Sequence, residues 1–169
     1  MYQQTSEVNI TFTNGLSVTL HIQQLIASNA QALYALKLLR AHGLCDTAIQ
    51  AVFRSVVLAR FLYASPAWWG FAGAQDRQKV DGFLHRSTRA SFCSRNVPNF
   101  SDICLQADQN LFRKVLHNPQ HVLHQLLPPA ATSRSYSLRT RTHNRQLPDR
   151  LSRLTDCNFI TCMLFYQSY

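Results

Sequence analysis

The chain has 169 residues, of which 46% are hydrophobic and 15% charged, so it is long enough to bury one core and too short for two full domains. Lys and Arg number 17 against 8 Asp and Glu, a formal net charge of +9. That composition excludes a disordered chain and suits a polyanionic partner, a phosphate backbone above all.

The charge is concentrated in two zones. Residues 54–100 carry seven cations against Asp76 and Asp81, and residues 132–169 carry six arginines against Asp149 and Asp156. Residues 1–53 and 101–131 each balance.

In chain order, Val8, Ile10 and Phe12 alternate with polar residues, Asn14-Gly15 supplies a turn, and Leu16, Val18 and Leu20 resume the alternation. That pattern predicts an N-terminal β-hairpin over residues 8–20. From Thr19 to Ala41 the period becomes helical, with Ile22, Leu25, Ile26, Leu33 and Leu36 in one stripe and Gly43 placed to close the helix. A second helix is expected from Asp46 to about Tyr63, apolar nearly all round and therefore central in the core. Pro66 ends it, and Trp68 and Trp69 beside that break are expected to plug the core. A third helix, about 75–92, buries Val80, Phe83 and Leu84 and turns Lys79, Arg86 and Arg89 outward. Ser101 and Asp102 open a fourth, residues 119–127 form a short fifth stopped by Pro128-Pro129, residues 130–150 read as irregular and basic, and 151–166 as one or two final helical turns. The fold class is thus mainly α: a small bundle of about four to five helices with an N-terminal β-hairpin and an irregular basic C-terminal tail. The segments divide as 1–20 hairpin, 21–129 helical domain and 130–169 arginine-rich tail with a short terminal helix.

Catalytic chemistry finds no purchase. The eight acidic residues are scattered, with no Asp-Asp or Asp-x-Asp to converge on a metal, and three of them stand near helix starts, where anions are favoured in any case. Cys104, His117 and His121 have the spacing of half a zinc finger, but Cys93 lies eleven residues before Cys104, too far to complete it. Five glycines include no phosphate-binding loop, and no Ser or Cys stands in a nucleophile motif. No cofactor, metal or small-molecule substrate is expected, and the chain is not expected to be an enzyme. The opening MYQQTSE lacks the cationic and apolar regions of a signal peptide, so an intracellular protein, nuclear or cytoplasmic, is expected, with five reduced and mostly buried cysteines. The apolar run 48–74 is interrupted by Arg54, Arg60 and Pro66, which reads as core helix, and no membrane partner is expected.

The basic residues remain. Lys79, Arg86 and Arg89 share one helix face, and Arg134, Arg139, Arg141, Arg145, Arg150 and Arg153 crowd a segment that also holds Tyr136 and His143. Arginine interleaved with aromatics suits a nucleic-acid backbone and unstacked bases; a solvated helix face gives the same pattern.

Six segments in order carry a resemblance: LYALKLLRAHGL (33–44), VFRSVVLARFLYASPAWWG (52–70), FLHRSTRASFC (83–93), ADQNLFRKVLHNPQHVLHQLLPP (107–129), SYSLRTRTHNRQLP (135–148) and LTDCNFITCMLF (154–165). Together they resemble the region after the polymerase palm in LINE-like non-LTR retrotransposon reverse transcriptases, over roughly residues 10–169. The resemblance implies a thumb and C-terminal tail, with the family's catalytic aspartates and its Tyr-x-Asp-Asp turn in a polymerase domain upstream of this sequence, and the hairpin as the last palm-edge element. It implies RNA or an RNA–DNA duplex as partner, clamped by Lys79, Arg86 and Arg89 of the thumb and Arg139, Arg141 and Arg145 of the tail. The chain departs from the family at Val8-Asn9, where Leu-Gly usually precedes the strand's valine, and at Cys162, where a basic residue is expected. The competing reading is a small helical protein-interaction module with no nucleic-acid role, docking through the hairpin edge and the Trp68-Trp69 region.

Overall fold

A computed structural model describes residues 10–94, 98–131, 143–150 and 152–166, and over them the protein is mainly helical with no β-strand. The helices are α1 (Thr19–Ala41), α2 (Asp46–Val52), α3 (Ala59–Leu62), α4 (Ser65–Trp68), α5 (Ala74–Arg89), α6 (Phe100–His117), α7 (Arg153–Asp156) and α8 (Phe159–Phe165). A π-helical stretch, Phe53–Leu58, joins α2 to α3, and 3₁₀ turns occupy Trp69–Phe71 and Val122–Leu126. The described residues fall into two compact units, the first from 10–63 and 72–94, the second from 64–71 and from residue 98 onward.

In the first unit, α1 begins and ends where its periodicity predicts. Gly43, at φ 92°, closes it: the Gly43 N–H donates to Arg40 O and the Leu44 N–H to Leu39 O, the bond pair of a left-handed C-terminal cap. Val18, Ile22, Leu25 and Leu36 are buried, and α1 packs against both the long helical run that follows and α5. Ile49, Phe53, Val57 and Phe61 of that run are fully buried, each contributing on the order of 2 kcal/mol. Their spacing is a strict four residues. On a 3.6-residue helix such a repeat drifts about 40° per step and would leave the core within three steps. The π turn is wider, takes that drift back and keeps the four side chains in one stripe. Phe61 then meets Phe83 of α5 with ring centroids 5.5 Å apart.

The expected hairpin is not formed in the described residues; Val8 and Asn9 lie outside them. A turn does sit at Asn14-Gly15, where the Leu16 N–H donates to Thr13 O and the Thr13 N–H to Ser17 O. The second arm fails because α1 claims Thr19 and Leu20, leaving too few residues for a two-stranded ribbon that is marginal even at full length. The Thr19 hydroxyl instead donates to Asp76 Oδ2 at 2.7 Å.

The second unit starts at Ala64, whose left-handed backbone (φ 48°) breaks the preceding helix, and Pro66 is seated in the first turn of α4. Trp68 and Trp69 are buried as expected, in edge contact with each other at 5.6 Å, and Trp69 meets Phe100 of α6 edge-on at 4.9 Å. Burial removes both indoles from any docking surface. A second cluster gathers Phe112 of α6 with Met163 and Leu164 of α8, flanked by Leu116, Leu127, Leu147 and Phe159. Residues 128–131 and 143–147 are tied by an isolated antiparallel bridge, with Ala131 N–H donating to Asn144 O at 2.7 Å and Gln146 N–H to Pro129 O at 3.0 Å.

Cys93 and Cys104 are buried and Cys157 is partly so, but Cys45 and Cys162 are exposed, fewer buried thiols than expected. By length and composition alone Asp46–Phe71 is apolar enough to cross a membrane, with a mean hydropathy of 1.2 in its best window. Its helix is broken at Tyr63 and Ala64 (ψ 120° and φ 48°) and carries Arg54 and Arg60.

Candidate nucleic-acid interface

Helix α5 divides cleanly into two faces. Asp76, Val80, Phe83 and Ser87 are buried, while Gln75, Gln78, Lys79, His85, Arg86 and Arg89 are exposed along one side. At about 100° per residue these six fall within one third of the helix circumference. Gly82 lies in the middle of the row, and the Arg86 guanidinium folds over it, 3.5 Å from where a β-carbon would stand.

The three cations of this face are not equivalent. Lys79 Nζ lies 3.0 Å from Asp76 Oδ1, and Asp76 is only 6% exposed. The lysine therefore compensates a buried carboxylate that also accepts from Thr19, a structural duty that sequence spacing does not reveal. Arg86 and Arg89 make no hydrogen bond or ion pair with the described residues and sit in the last turn of α5, where cations also answer the helix dipole. Arg54, exposed on the π stretch, is a further cation of this unit: its charge pulls the Cys93 thiol down, although burial pushes that thiol up overall. Arg54 was not singled out by the sequence because it lies inside the most apolar run of the chain.

The tail cations are distributed otherwise. Arg139 and Arg141 lie outside the described residues. Arg145 is half-buried in the second unit, its guanidinium donating to Pro128 O at 3.3 Å. Arg150 is stacked over Phe165 at 4.3 Å and borders a shallow recess with Asp156, Thr161, Cys162 and Tyr166. Arg145 therefore belongs to a different unit from the α5 face.

The histidines serve as hydrogen-bond brackets. His117 Nδ1 and His124 Nδ1 stand 2.7 Å from the carbonyls of Arg113 and Val115, and His121 Nδ1 accepts from the Leu123 N–H at the start of its 3₁₀ turn. Among the described residues no three His, Cys, Asp or Glu side chains converge as metal ligands.

Asp108, on α6, has a buried Oδ1 with no hydrogen-bond partner, and burial raises its carboxyl to about 6. The folded state thus takes up this proton before the unfolded chain does, so stability from this group rises as pH falls from about 6 toward the ordinary carboxylate range. Asp108→Asn should stabilise the protein by about 1 kcal/mol at pH 7, after allowance for screening, and by little at pH 4.5. Urea midpoints at the two pH values check this; an equal gain at both would refute it.

Comparison of the chain with protein-family models, curated proteins and solved structures finds no match.

Proposed function

We propose that the chain is a non-catalytic helical fragment that contacts a nucleic-acid backbone, in the manner of the thumb and tail of a LINE-like reverse transcriptase. The observation that carries this reading is the outer face of α5, where Arg86 and Arg89 stand free of acidic partners beside His85, Gln75 and Gln78. Guanidinium groups with no internal acceptor bind phosphate oxygens at low reorganisation cost. Lys79, with its carboxylate already answered, adds less; of the tail cations that the resemblance implies, Arg139 and Arg141 lie outside the described residues and Arg145, which already donates to Pro128 O, adds less too. The partner class is RNA or an RNA–DNA duplex.

Binding of the purified chain to an RNA–DNA duplex should weaken steeply with salt, and Arg86→Gln with Arg89→Gln should flatten the slope of log K against log salt by roughly 2. A slope near zero in the unaltered chain rejects the reading.

One observation favours the alternative, a protein-interaction module. No charged residue occurs between Thr19 and Leu36, and Leu20, Tyr34 and Leu38 are exposed on one side of α1, Tyr34 by 65%. A protein partner held there would bind with little salt dependence and be lost on Tyr34→Glu.

A further inference from the structure

Four of the five glycines have a structural reason to be glycine. Gly15 lies in the turn before α1, Gly43 has a left-handed backbone, Gly70 is pressed against Cys157, and Gly73 is the N-cap of α5. Gly82 has none of these. It stands inside α5 with ordinary helical backbone, and a β-carbon there would meet only Arg86 Nη1, at 3.5 Å, a normal contact. An interior glycine weakens a helix relative to alanine, so the fold alone would favour a side chain here.

What surrounds it is chemically uniform. The surface neighbours of a helical residue are those three and four positions away. Around Gly82 they are Gln78, Lys79, His85 and Arg86, all exposed, all able to donate a hydrogen bond and none acidic. Gln75 and Arg89 continue the row by a further turn at each end. We propose that Gly82 is the seat of one backbone phosphate of the bound nucleic acid, the point where that ligand comes closest to α5. This rests on the nucleic-acid reading and fixes where on the face the contact is centred.

The bare position matters because the donors differ in reach. By helical geometry Gln78 and His85 flank it on one side, Lys79 and Arg86 on the other. The long cations can follow a phosphate outward, but the shorter Gln and His side chains meet the same group only if it lies close to the helix. A side chain at 82 would stand in that space. Arg86 already rests over the glycine with no acceptor among the described residues, so it meets the phosphate oxygens without leaving an internal partner. Lys79 shares its charge with Asp76 and contributes less. Asp81, the other carboxylate of this helix, is half-buried and about 100° round from Gly82, beyond His85.

Binding of the full chain to an RNA–DNA duplex across a salt series, with thermal unfolding of each variant, provides the test. Gly82→Ala should raise Tm by about 2–4 °C and yet weaken binding roughly threefold. Gly82→Leu should weaken it roughly tenfold and flatten the slope of log K against log salt by about 1. Ala74→Leu, with the same bulk on the exposed first residue of α5, should leave binding within about twofold. A slope near zero in the unaltered chain rejects the nucleic-acid reading itself. A steep slope there, with Gly82→Leu binding as tightly as the unaltered chain, overturns the seat alone. Gly82→Ala decides the matter if leucine disturbs folding: a higher Tm with unchanged affinity, or a lower Tm, also overturns the seat.

Discussion

Gly70→Ala should destabilise the second unit by about 3 kcal/mol. A β-carbon at Gly70 would overlap the carbonyl oxygen of Cys157, and the next nearest atoms are also Cys157 backbone. A flexible side chain could swing aside at small cost, but this neighbour is main chain. It lies directly after α7, whose start is fixed by reciprocal hydrogen bonds between Ser152 and Thr155. Relief must come from moving the Trp69–Phe71 turn, which carries Trp69 away from its edge contact with Phe100. Overpacking of this kind costs about 1–3 kcal/mol, and a backbone obstacle puts it at the upper end. Urea denaturation followed by tryptophan fluorescence reads both the stability and the displaced indole. Gly15→Ala, where nothing approaches within 4 Å, is the matched control and should change stability by less than about 0.5 kcal/mol. Equal effects at the two sites would show that Gly70 is not constrained by Cys157.

Arg40→Ala is expected to cost about 2–3 kcal/mol in the first unit. The guanidinium donates to Ala90 O at 2.7 Å and to Ser91 O at 2.9 Å, and lies 4.5 Å above the Phe92 ring. Its Nε is 3.2 Å from Asp46 Oδ1, an ion pair that lacks hydrogen-bond alignment and is half in solvent, so little is assigned to it. The important contacts are the two carbonyls. They lie just past α5, where Ser91, at φ 58°, makes the turn that glycine makes after α1. One side chain from the end of α1 thus closes the end of α5, through charge-assisted bonds worth more than neutral ones. Arg40→Lys should recover less than half of the loss, since an ammonium cannot span two carbonyls as a planar fork does. Unfolding midpoints of the three proteins test this. Full recovery by lysine would mean that charge alone, not the fork, holds the joint.

Periodicity reveals most of the helices because helix ends are set by local chemistry. Gly43 after Ala41, and Pro66 after the left-handed Ala64, mark the two clearest boundaries. The 8–20 hairpin misleads because alternation is a local signal, whereas the N-terminus of α1 is fixed by Thr19 reaching Asp76, far along the chain. The same distance hides the duties of the cations. Spacing groups Lys79 with Arg86 and Arg89, yet only a folded chain shows that Lys79 neutralises Asp76 and that Arg40 is a clasp. Cys104, His117 and His121 have the spacing of half a metal site because spacing does not show that both histidines have backbone partners. Asn29 is visible as a polar residue in the α1 stripe; that it is fully buried, with both side-chain polar atoms unmatched, is visible only in three dimensions.

The π turn between α2 and α3 also governs how this region can change in length. Each residue removed from a helix rotates everything after it by about 100°. A deletion of one residue within Phe53–Leu58 would let the run close to regular α-helix and leave Phe61 eleven residues from Ile49, about 20° off its line, so the apolar edge would survive. Removing a complete four-residue repeat also keeps the edge continuous, provided that the π turn remains to take back the drift. A one-residue deletion here should therefore be tolerated better than a two-residue one, which would leave Phe61 about 80° off the stripe.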